Sequence, residues 1–142
     1  MTVKQLTVFV ENRTGYLSEI TELLAQNGID MKALSIADTK DFGILRLIVS
    51  DAGKALKILN EHGIIGKITE VVGVTVPNRP GGLSGVLASL ASKGVNVEYL
   101  YAFLAGTTEN AFVVLKATDN VAAEKVLRTS GFKPIEGLNG KQ

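Results

Sequence analysis

Asn78-Arg79-Pro80-Gly81-Gly82-Leu83 stands between two runs of different period. Before it, Val72-Gly73-Val74-Thr75-Val76-Pro77 alternates as a strand does. After it, Leu83, Val86, Leu87, Leu90 and Ala91 fall on one helical stripe. The stretch is therefore a strand-to-helix turn. Pro80 fixes φ and has no N–H, which suits the first turn of a helix. Gly81 and Gly82 permit restricted backbone conformations and let a ligand come close. Behind them the first N–H groups of the helix lack an intrahelical acceptor, so the turn offers an anion a place to bind.

The same sentence is written earlier. Asn12-Arg13-Thr14-Gly15-Tyr16-Leu17 follows the strand-like Leu6-Thr7-Val8-Phe9-Val10 and opens a helix with Leu17, Ile20, Leu23 and Leu24 on one side. The two turns are 66 residues apart (78 − 12). The spacing continues: Gly28 matches Gly94, Asp30 matches Asn96, Leu34 matches Leu100 and Leu47 matches Val113. From Asp51 and Asp119 onward it is 68, which places a two-residue insertion late in the second copy. An internal repeat outranks every other signal in assigning a fold. It divides the 142 residues into 1–69 and 70–142. Units this small bury little apolar surface alone, so they are expected to share a sheet or pack on something.

Each copy reads in the same order. Val3 to Val10 is a strand, Tyr16 to Asn27 a helix ended by Gly28, and Ile29 to Ala37 a strand. A polar turn, Thr39-Lys40-Asp41-Phe42-Gly43, leads to the strand Ile44 to Val49. Asp51 caps a helix running to His62 and stopped by Gly63, and Ile64 to Ile68 closes the copy. The second copy gives strands at Val71 to Val76, Val95 to Phe103, Asn110 to Lys116 and Phe132 to Ile135. Its helices run from Gly82 to Lys93 and from Asp119 to Ser130, and residues 136–142 read as a frayed tail. The fold class is α+β: two ferredoxin-like βαββαβ domains in tandem, with antiparallel sheets and helices on one face. Ile44, Ile48, Phe9, Phe112 and Val114 make the other face apolar too, which predicts a covered contact surface.

The turns, the repeat and the strand order together resemble a tandem pair of ACT domains, small regulatory modules that bind amino acids. The resemblance runs from about Lys4 to Ile135. Its most specific parts are residues 78–83 and Gly94-Val95-Asn96-Val97. The first copy departs at Thr14, where the family has proline, and at Asp30, where it often has Asn. The resemblance implies an effector site where the turn of one domain faces the start of the second strand of a neighbour. Backbone N–H groups of Gly81, Gly82 and Leu83 would hold a carboxylate, beside Arg79 and Pro80. Asn78 and Asn96 would accept from an ammonium group. In the first copy Asn12, Asp30 and the backbone of Gly15 and Tyr16 would play these parts, beside Thr14 and Leu17, with Tyr16, Tyr99 or Tyr101 lining a pocket. Each residue has a plainer reading: glycines that the turn needs anyway, asparagines that cap nearby backbone, tyrosines that pack.

Other functions find less support. The net charge of +1 and the aliphatic strands offer no nucleic-acid surface. There is no cysteine, which removes disulfides, thiolate metal sites and a Cys nucleophile. His62 is the only histidine and the acids are scattered, so neither a metal site nor a catalytic group is expected. Asp41-Phe42-Gly43 has no kinase motifs around it. No run approaches a membrane span, and Lys4 and Glu11 break the first apolar stretch, so a cytoplasmic protein without signal peptide is expected. The expectation is a non-catalytic sensor, without cofactor, that binds an amino acid, forms a homo-oligomer such as a dimer and acts on a separate enzyme or regulator. The alternative is a ligand-free interaction module of the same fold.

Overall fold

The computed structural model describes residues 1–38 and 41–135. Thr39 and Lys40 of the polar turn, and the tail at 136–142, lie outside the described residues. The chain contains two βαββαβ repeats with antiparallel strands and four helices. Contacts divide it into a unit built on Lys4–Thr69 and a unit built on Met1–Val3 with residues from Glu70 onward.

In the first unit β1 (Thr2–Glu11) leads through α1 (Tyr16–Gln26) to the hairpin β2 (Met31–Asp38) and β3 (Phe42–Val49), then to α2 (Ala52–Glu61). β1 and β2 both pair antiparallel with β3, and Phe9 N donates to Ile65 O at 3.0 Å on the other side of β1. Register places Leu6, Val8, Leu45 and Leu47 on one face, where Ile20, Leu24, Ala52, Ala55 and Leu59 of the helices bury them. Burying such side chains stabilises by about 1.5–3 kcal/mol each.

In the second unit β4 (Gly66–Pro77) leads through α3 (Gly82–Ser92) to β5 (Val97–Ala102), β6 (Asn110–Ala117) and α4 (Asn120–Thr129). Val72, Val74, Val113 and Leu115 meet Val86, Leu90, Ala123 and Leu127 in the second core. Asp51 and Asp119 cap α2 and α4, each accepting a backbone N–H at 3.0 Å three residues on. All four helices end alike: the residue after the terminal glycine donates back to a carbonyl five residues earlier, as Ile29 does to Leu24 O at 3.0 Å.

Three expectations need correction. Ile64–Ile68 and Val71–Val76 are not two strands. They form the single strand β4, because no turn residue separates Ile68 from Val71. The closing strand Phe132–Ile135 shrinks to one bridge between Thr75 and Lys133. Pro134 has no N–H to extend it, and Thr75 Oγ1 takes the Pro134 carbonyl at 2.9 Å instead.

The insertion also moves. Leu6 pairs with Leu47, and Val72 pairs with Leu115, so Leu47 corresponds to Leu115 and not to Val113. The spacing is already 68 at β6, which puts the two extra residues in the β5–β6 loop.

The faces turned away from the helices are unevenly exposed. Ile48 and Val114 are fully buried, whereas Phe9 is 46% and Phe42 59% exposed. Within the second unit, a Cβ on Gly73 would sit 2.7 Å from Val3 Cγ2, so Val3 closes over that part of the face.

Candidate functional site

The two turns share their glycine φ and their hydrogen-bond pattern and have opposite contents. Gly15 and Gly81 take φ of 85° and 87°, a left-handed conformation that glycine adopts without strain. Neither helix receives a side-chain cap. Arg13 N and Arg79 N donate to Glu11 O and Pro77 O, and Tyr16 N and Gly82 N close back onto Arg13 O and Arg79 O. The Gly82 and Tyr16 amides expected to grip a carboxylate are therefore spent inside their own turns. Among the described residues the Leu83 and Ser84 N–H groups, and those of Leu17 and Ser18, have no protein acceptor.

In the first turn Arg13 holds Glu11 at 3.2 Å and Glu19 at 3.1 Å, and lies 4.5 Å over the Tyr16 ring. Its hydrogen bond to the Glu19 carboxylate is the main cause that raises the Arg13 pKa. By the repeat spacing these partners become Pro77, Gly85 and Gly82 in the second turn. Arg79 has no ion pair among the described residues. A Cβ on Gly82 would sit 2.0 Å from Pro77 O, so the position admits only glycine as the turn stands.

Asn78 is anchored twice. Its N–H donates to Glu109 O at 2.8 Å, and its Nδ2 donates to Thr107 O at 3.1 Å. A carbonyl can only accept, so this bond fixes which end of the amide is which and turns Oδ1 away from Thr107. The inserted loop supplies the anchor: Thr107 and Asn110 bond each other through N–H to oxygen contacts of 2.8 Å. In the first unit Asn12 N donates to Asp41 O, the matching backbone bond. Asn96 Nδ2 donates to Thr118 Oγ1 at 3.1 Å, whereas Asp30 is tied to Lys32 at 2.6 Å.

Within one unit the expected partners are apart. Pro77 pairs with Asn110 at one end of β6, and Val97 pairs with Ala117 at the other. Asn78 and Asn96 thus flank opposite ends of a strand that spans roughly 23 Å. Asn12 and Asp30 are separated in the same way by β3. Tyr101 is only 8% exposed and shares the face of Val114, so it is a packing residue.

The fold also forms a feature that no run or motif of the sequence marks. A cleft of about 470 Å³ is lined by Thr75, Pro77, Phe112, Ser130, Phe132 and Lys133 among others. Its walls are joined by the Thr75–Lys133 bridge and the Thr75 Oγ1–Pro134 O hydrogen bond. A second cleft of similar size runs past Arg13, Tyr16, Glu22 and His62 in the first unit. Among the described residues no cluster of His, Asp or Glu could hold a metal, and no helix is long and apolar enough to cross a membrane.

Comparison with known proteins places this geometry in a family. No curated protein matches the chain. Protein BT0572 from Bacteroides thetaiotaomicron has a solved structure that is 42% identical, covering 95% of this chain and 92% of that one with a TM-score of 0.89. The ligand-free regulatory subunit of aspartate kinase from Thermus thermophilus shares the fold at 18% identity, 90% and 92% coverage and a TM-score of 0.65. Aspartate kinase from Clostridium acetobutylicum, at 14% identity and a TM-score of 0.54, matches over 90% of this chain but 32% of its own. Residues 1–135 match the family described as an ACT domain pair, and the chain belongs to that family of regulatory modules.

Proposed function

We propose that this chain is a non-catalytic regulatory protein of the cytoplasm that binds a small amino acid at the turn formed by residues 78–83. The observation that carries the reading is the contrast between the two turns. The first is filled by its own Arg13, Tyr16, Glu11 and Glu19. The second keeps the same turn hydrogen bonds, replaces those partners with proline and glycine, and retains Arg79 and an anchored Asn78. The ligand carboxylate would lie at the Leu83 and Ser84 amides, where the helix end favours negative charge. The Asn78 Oδ1 would accept from its ammonium group.

Asn96 can join this site only from another copy, since its own strand carries it to the far end of the sheet. The protein is accordingly a homo-oligomer, such as a dimer, whose sites are completed by a neighbour. Occupancy would change the assembly, or its hold on a separate enzyme or regulator, through unequal affinity for two states. The first-copy residues Asn12, Thr14, Gly15, Tyr16, Leu17 and Asp30 are the weaker site on this reading.

Thermal melting against a panel of amino acids tests it. A ligand at 100 times its dissociation constant adds about 2.7 kcal/mol of stability. Asn78→Ala and Asn96→Ala should each remove the shift, with only a small fall in the unliganded melt from the lost side-chain hydrogen bond. The alternative, a ligand-free interaction module, draws on the exposure of Phe9, Phe42 and Ile65. A panel without any shift would select it.

A further inference from the structure

We propose that the cleft at the Thr75–Lys133 bridge is a separate ligand site, one that takes a small monocarboxylate with an apolar or aromatic body. Its volume of about 470 Å³ lies in the range of small-molecule sites. Its lining is mixed in the way such sites are: Phe112, Phe132 and Pro134 give an apolar wall, and Asn110 and Ser130 give hydrogen-bonding groups. Lys133 is the one charged side chain in that lining, and no described carboxylate pairs with it. An apolar wall beside one ammonium group with no described carboxylate partner selects an apolar anion over a cation or a sugar.

The first unit shows the same place built from different side chains. Phe9 N donates to Ile65 O at 3.0 Å as Thr75 N donates to Lys133 O at 2.8 Å, so the two bridges correspond. Phe42 pairs with Glu11 as Asn110 pairs with Pro77. Three exposed apolar side chains, Phe9, Phe42 and Ile65, are thus replaced by Thr75, Asn110 and Lys133. The second unit loses bulk, gains polar groups and gains a cation at one spot. Packing alone calls for none of these three changes, since the first unit closes its fold without them. The inserted β5–β6 loop brings Thr107 to the same cleft.

The test is a titration of the ¹⁵N-labelled full chain with phenylacetate and, as its cationic match, benzylamine. Phenylacetate should shift the amides of Thr107, Phe112 and Lys133, and benzylamine should not. Lys133→Gln should weaken phenylacetate about fivefold, the loss expected for a solvent-exposed ion pair. Lys133→Arg should restore it. Thr75→Phe, which installs the first unit's residue, should abolish binding. Asn96→Ala lies at the far end of the sheet and should leave the titration unchanged, which separates this site from the amino-acid site. Equal shifts with both probes, no shift with phenylacetate, or a titration indifferent to both Lys133→Gln and Thr75→Phe would overturn the proposal. Lys133 is exposed, so its variant stays folded even if Thr75→Phe does not.

Discussion

Tyr16 and Gly82 hold the same place in two turns whose helices begin alike, and they set the turns apart. Tyr16 has room for a ring that carries the Arg13 guanidinium. Gly82 has no room for a methyl group, since its Cβ would lie 2.0 Å from Pro77 O. Relief requires the backbone at Pro77 to move, and that backbone also seats Arg79 N. Gly82→Ala is therefore expected to cost more than about 2 kcal/mol in urea denaturation, well above the few tenths typical of surface changes. Arg13→Ala removes only exposed pairs and should cost much less. The equality of the two costs would show that the second turn yields easily, and would weaken its role as a preformed site. The glycine-rich turn itself was legible, because Pro-Gly-Gly before an amphipathic run permits little else. The destination of the Gly82 amide was not. That N–H closes on Arg79 O only once the turn has folded, and composition carries no trace of it.

Helix α4 concentrates two testable electrostatic features. Its cap, Asp119, accepts from Ala122 N as Asp51 accepts from Lys54 N. Asp119→Ala and Asp51→Ala should each cost about 1 kcal/mol by chemical denaturation. One turn further, Glu124 accepts from the Met1 ammonium at 3.1 Å and pairs with Arg128 at 3.0 Å. The Met1 hydrogen bond, with help from Arg128, holds its carboxyl below the usual glutamate range. The fold therefore favours the ionised form. The resulting stability is complete above the ordinary glutamate range and is lost as pH falls through the depressed value. Glu124→Gln should flatten the acid limb of the stability profile by up to about 1 kcal/mol and leave the neutral limb parallel.

Helices such as α4 were legible to within a residue or two, because caps and terminal glycines mark both ends. Strands were less so. Phe112-Val113-Val114-Leu115 is apolar on both faces, so a register slip of two residues leaves the pattern intact. That ambiguity displaced the insertion from the β5–β6 loop. It also hid the cleft, whose Lys133 wall joins Thr75 by a single bridge rather than by a strand.

At the scale of the whole molecule the repeat boundary and the structural boundary differ at one place. A cut between Thr69 and Glu70 separates the two sequence repeats, yet Met1–Val3 belongs to the unit that begins at Glu70. Met1 O accepts from Gly73 N at 2.8 Å, Val3 is 5% exposed beside Gly73, and the Met1 ammonium reaches Glu124. Gly73 has no side chain because Val3 occupies that space. A chain lacking residues 1–3 should then lose stability mainly in the second unit, by about 1.5–3 kcal/mol for the buried valine alone. Amide hydrogen exchange reads this unit by unit. Protection should fall at Gly73, Val74 and Leu115 and persist at Leu6, Val8 and Leu47. Ile135→Ala, which trims the other side chain beside Gly73, should cost less in the truncated chain than in the full chain, because Val3 and Ile135 fill the same niche. Loss of protection confined to Leu6, Val8 and Leu47 would contradict the assignment of the N-terminal residues. The outcome expected here makes the first three residues a structural part of the unit that carries the 78–83 turn.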